Sequence, residues 1–104
     1  MNLESLRETT RQFAEYTEAM LVAAEQGQWE DFLLVHEARE AQMATLQAEA
    51  GDALLTLLPD LRPVLEAALS LNQRIELLAS ARRDELGEEL STVQQQRRLR
   101  MTYR

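Results

Sequence analysis

Three stretches of this chain space their apolar residues by threes and fours, and the break between the first two is very short. In the first, Leu3, Leu6, Thr10, Phe13, Thr17, Met20 and Ala24 form one stripe on a helix predicted over about 3–26. In the second, Trp29, Phe32, His36, Arg39, Met43, Leu46 and Ala50 repeat that spacing over 29–50, with Leu33 beside them. A turn of about two residues around Gly27 separates the two, and so short a link between long helices forces an antiparallel hairpin. The third stretch runs from Leu61 through Val64, Leu65, Ala68, Leu71, Ile75, Leu78, Ala79 and Leu86, a helix over about 61–86.

The residues at the breaks fit their places. Asn2 is a suitable N-cap for the first helix and Gly27 a suitable stop. The second helix should end near Gly51-Asp52, followed by a short apolar piece from Ala53 to Leu58. Asp60 reads as the N-cap of the third helix, with Pro63 in its first turn, where a missing N–H costs little. Gly87 either ends that helix or sits inside a longer one. Leu90 and Val93 continue the stripe beyond it, whereas Leu99, Met101 and Tyr103 fall off its face, and fraying is expected past about Arg98. The expectation is an all-α fold in a single domain. It is an antiparallel three-helix bundle with residues 88–104 as a short C-terminal fourth helix or a helix extension.

Charge is divided along the chain. The first 90 residues hold all 18 acidic residues against 7 arginines, a net −11, while 91–104 holds Arg97, Arg98, Arg100 and Arg104 and no acid. A basic end on an acidic body can be a latch or lid, a solvated helix end or a partner-binding arm. Four charges give only a shallow attraction to phosphate, which the acidic body opposes, so nucleic-acid binding is not expected. No run of about 18 apolar residues is present, so no membrane insertion is expected, and the N-terminus has no signal-peptide pattern.

Catalytic chemistry finds little to work with. Cysteine is absent, which removes disulfides, thiolate sites and cysteine nucleophiles and fits a reducing cytoplasm. The glycines stand alone, so no phosphate loop is formed. His36 is the one histidine. Glu40 lies a turn away, making a two-ligand metal clip conceivable, but catalytic metal sites usually use three protein ligands. The reading is a non-enzyme with no catalytic residues, no metal and no cofactor. Trp29 at the start of the second helix serves as a hairpin staple or as an interface anchor. The third helix is apolar over a wider arc than a bundle seam needs, and the surplus suggests a partner groove or a fourth helix.

Two segments carry a family likeness. Gly27-Gln28-Trp29-Glu30-Asp31-Phe32 is similar to the hairpin turn of FliT-type flagellar export chaperones. Leu78-Ala79-Ser80-Ala81-Arg82-Arg83-Asp84-Glu85-Leu86 resembles that family's late-helix segment. The resemblance implies a cytoplasmic chaperone that binds the C-terminal segment of the filament-cap protein, prevents premature assembly and delivers it to the flagellar export apparatus. In some bacteria such proteins also bind the flagellar transcription regulator. Carried over by position, a partner-binding groove would use Leu33, His36, Leu71, Ile75 and Leu78. A displaceable lid would use Leu90, Val93, Leu99 and Tyr103, although this chain departs from the pattern with a short, Arg-rich C-terminal end. The alternative is a structural helical bundle or oligomerising adaptor without an export role. A stable tetramer would favour it, whereas a monomer or weak homodimer favours the chaperone.

Overall fold

The computed structural model describes the backbone of residues 2–102 and the side chains of residues 2–89 and Gln95. Among these residues the fold is all-helical. Helix α1 spans Leu3–Glu25, α2 Trp29–Glu49, the single turn α3 Leu54–Leu57, and α4 Arg62–Thr102. Two 3-10 turns, Gly51–Ala53 and Pro59–Leu61, flank α3. The molecule measures 68 × 23 × 20 Å. At 1.5 Å per residue the 41-residue α4 is about 60 Å long, so this one helix sets the long dimension.

Local chemistry explains both ends of α1. Asn2 caps α1: its side-chain oxygen accepts from the Glu4 N–H at 2.9 Å. At the other end Gly27 has φ +71°, a left-handed conformation that costs glycine nothing. The Gln28 N–H then donates to the Ala23 carbonyl at 2.8 Å and the Gly27 N–H to that of Ala24 at 3.2 Å. This crossed pair satisfies the last carbonyls of α1 and turns the chain straight into α2.

The expected boundaries change in two places. Asp60 does not cap α4. It lies in the 3-10 turn Pro59–Leu61, and its carboxylate is paired with Arg7 across to α1. A charge-assisted bond to a guanidinium outcompetes a local backbone N–H. Gly87, which the sequence left open, lies within α4, and the helix continues beyond Arg98 to Thr102. One interior glycine costs about 1 kcal/mol relative to alanine. Its neighbours Glu85, Leu86, Glu88 and Glu89 favour helix enough to carry it through.

Helix α1 packs against both α2 and α4. Leu6, Thr10, Thr17, Met20, Leu21, Ala23 and Ala24 are all buried on it. Thr10 and Thr17 are completely buried, and their hydroxyls donate to the Leu6 and Phe13 carbonyls at 2.8 and 2.9 Å. The polar seam positions are thus satisfied within their own helix. Two apolar clusters result. One joins Leu6 and Leu46 to Leu54, Leu58 and Leu61, and the other joins Met20 and Leu21 to Ile75. Gln12 meets Gln42 between α1 and α2, and Arg39 meets Asn72 between α2 and α4.

Arg7 lowers the Asp60 pKa, first through their hydrogen bond. Stabilisation from the pair is therefore complete above the unfolded carboxyl value of about 4. It fades as pH falls through the folded value. Both groups are exposed, so the effect is small. Asp60→Asn should lower the urea midpoint at pH 7, and its deficit relative to the unmodified protein should shrink as the pH is stepped down into the acid range. A deficit that stays constant with pH would contradict this assignment.

Candidate functional site

Of the α2 residues, only Leu46 is buried. The outer flank of α2 and the facing flank of α4 therefore remain open, and a trough lies between them. It is made of three adjoining hollows of about 370, 290 and 300 Å³. Neighbouring hollows share lining residues: Arg39 and Asn72 at one junction, and Phe32, Leu33, Ala79 and Arg83 at the other. From Leu65 to Leu86 along α4 the trough is roughly 30 Å long, enough for a helix of about six turns.

One end is walled by the apolar Met43, Leu65 and Leu69. At the other end Trp29 sits edge-on to Phe32, with ring centroids 5.2 Å apart, and Phe32 stacks on the His36 ring at 6.5 Å. Leu33 and Leu86 extend this wall and stay 63% and 40% exposed. Large apolar side chains left open along one concave surface mark a place where another surface packs.

Between the two ends lies a polar belt. The Arg39 guanidinium stacks over the Phe13 ring at 5.7 Å and donates to the Asn72 side-chain oxygen at 2.8 Å. Beside it the Gln42 amide donates to the Gln12 side-chain oxygen at 2.9 Å. The Arg39 Nε is buried and has no hydrogen-bond partner. An unmet donor of that kind costs about 1–3 kcal/mol. Burial pushes the Arg39 pKa down, and Glu40 and Glu76 push it back up. The two acids of the trough wall are engaged by neighbours on their own helices. Glu40 faces the His36 Nδ1 at 4.0 Å, and Glu76 accepts from the Asn72 amide at 3.2 Å.

The structure brings three of the five expected groove residues together: Leu33, His36 and Ile75 line the central hollow. Leu71 and Leu78 do not line the three hollows; both are half-buried and pack against the cluster of Met20, Leu21 and Ile75. The side chains of Leu90, Val93 and Leu99, and all of Tyr103, lie outside the described residues, as does any contact they make. Sequence reasoning missed Asn72, Ala79 and Arg83 as trough residues. Ala79 stood in the stripe but carries little hydropathy, and Asn72 and Arg83 interrupt it. Their spacing from Ile75 by three, four and eight positions was the available signal. Among the described residues no three of His, Asp or Glu are grouped to hold a metal ion, and no helix is long and apolar enough to cross a membrane.

Wall and core residues should separate in mutagenesis. Leu33→Ser alters an exposed wall and should change unfolding free energy by no more than about 0.5 kcal/mol. Ile75, 3% exposed, anchors the upper cluster, and Ile75→Ala should cost about 2–4 kcal/mol. Urea denaturation of the two variants checks this, and a Leu33 cost equal to that of Ile75 would place Leu33 in the core instead.

The family model of the flagellar protein FliT matches residues 7–104. No curated protein and no solved structure matches the chain. The family match takes in both motif segments, the turn at Gly27–Phe32 that starts α2 and the stretch Leu78–Leu86 that ends the trough. With nearly its whole length matched, the chain belongs to the FliT family of flagellar proteins.

Proposed function

We propose that this protein is a flagellar export chaperone whose α2–α4 trough holds the C-terminal segment of the filament-cap protein. The observation that carries this reading is an apolar trough about 30 Å long left open along a helical hairpin in a chain of the FliT family. Occupying the client's segment would keep it from assembling early, and the complex would then be delivered to the export apparatus. The three long helices act as a small bundle in the cytoplasm, with α1 as the spine and the trough as the working face. The same exposed apolar wall would also serve to bind the flagellar transcription regulator. A weak homodimer is compatible with all of this, since Leu33 and Leu69 remain open in the single chain.

The C-terminal end of α4 is proposed to regulate access. The helix carries residues 88–102 past the end of the hairpin, so covering the trough of the same molecule requires α4 to bend back. Gly87 is the natural hinge: it has the weakest helix propensity nearby, and nothing lies within 4 Å of a Cβ added there.

Calorimetry with the filament-cap C-terminal segment tests both parts. The full chain should bind it, and Leu33→Asp or Leu69→Asp should weaken binding about tenfold or more, because each buries an unpaired charge. No binding by the full chain would contradict the chaperone reading. Deleting residues 91–104 should raise affinity, and an unchanged value would remove the regulatory role alone.

A further inference from the structure

We infer that the trough selects an amphipathic segment carrying acidic side chains beside its apolar face. The inference rests on the trough being the client site and adds the chemistry of what it accepts. On a body of net charge −11, the trough is lined by Arg39, Arg82 and Arg83 against only Glu40 and Glu76. Three of the seven arginines in the first 90 residues thus meet in one concavity, while 16 of the 18 acids lie outside its lining.

The pairing state of these groups points the same way. Glu76 accepts from the Asn72 amide, and Glu40 lies 4.0 Å from the His36 ring. Arg39, by contrast, makes no ion pair with the described residues and keeps a buried Nε–H without an acceptor. Arg83 is exposed at the Leu33 end and also makes no ion pair with them, whereas Arg82 is held by Glu85 at 3.3 Å. A carboxylate entering beside Phe13 would meet the Arg39 guanidinium, which lines the trough, and a second, two to three turns along, would meet Arg83. The same charges make the chain's own Arg97–Arg104 end, with four arginines and no acid, a weak cover that an acidic segment displaces.

The full chain can be titrated with synthetic amphipathic helical peptides about five turns long. They lack tryptophan and carry, two turns apart beside one apolar face, two Glu, two Gln or two Lys. Trp29 is the only tryptophan and lines the trough, so its emission reports occupancy. The Glu peptide should bind about tenfold or more tighter than the Gln peptide at low salt, and the Lys peptide more weakly than either. Added salt should narrow the gap. Arg39→Gln should remove most of the Glu preference. Arg83→Glu, at an exposed position with little bearing on folding, should reduce it and improve the Lys peptide by a few-fold. Equal affinity for the Glu and Gln peptides, or a preference that survives both substitutions, overturns the inference and leaves the trough as an uncharged apolar site. Failure to bind any peptide overturns the client-site reading beneath it. A peptide of residues 88–104 that binds more tightly than the Glu peptide would give the trough to the chain's own end. Self-association that the Glu peptide cannot reverse would give it to a second copy. Either result overturns the inference.

Discussion

Everything in this fold leans on one face of α1 being narrow enough to be packed from two sides. Thr9, Thr10, Thr17, Ala23 and Ala24 are buried there among Leu6, Met20 and Leu21. Small side chains let two partner helices come close, and the threonine hydroxyls cost little because each bonds to the carbonyl one turn earlier. The larger side chains supply the transfer energy, about 1.5–3 kcal/mol for each one fully buried. Because α1 serves both neighbours, α2 and α4 have less need of each other, and the trough is the space they leave.

The middle of that space is where the ordinary rules of a core are broken. Arg39, Asn72, Gln12 and Gln42 form a polar belt between the two apolar clusters, and the Arg39 Nε is left unmet. A half-satisfied polar group in a packed interior is unfavourable for folding alone. Places where local consistency fails are commonly sites of function. Arg39 itself lines the trough, and its guanidinium gives an otherwise apolar surface a fixed positive point. The charge asymmetry along the sequence thus has a second level. Besides the basic C-terminal end, arginines are concentrated in the trough of the acidic body.

Much of this was legible in the residues. The stripe of α1 was readable by spacing, and six of its seven positions are buried or half-buried, Leu3 being the exposed one. The turn at Gly27 was readable because only a left-handed residue closes a helix that way. Outside the third stripe, Leu69 and Leu77 of α4 stay 61% and 73% exposed. Spacing could not resolve the rotation of that stripe: Leu71 and Leu78, expected in the groove, are half-buried against the Met20, Leu21 and Ile75 cluster. Periodicity fixes a face to within about one residue's rotation, and the partner helices decide the rest. Asp60 misled for a different reason. Its local context suits a cap, but Arg7, 53 residues earlier, wins its carboxylate, and no local pattern announces so distant a pair. Gly87 was undecidable locally because its penalty and the helix propensity of its neighbours nearly balance.

What unites these features is a spine helix that leaves one flank of its two partners unfinished and arms that flank with arginine. The most direct test is to map where the client sits. Amide chemical shifts of the labelled full chain, recorded while the filament-cap C-terminal segment is titrated in, should move at Leu33, His36, Asn72 and Ala79. They should stay still at Val22 and Leu34 on the opposite, α1–α2 face, which is also apolar and exposed. Shifts centred on Val22 and Leu34 with a silent trough would contradict the account.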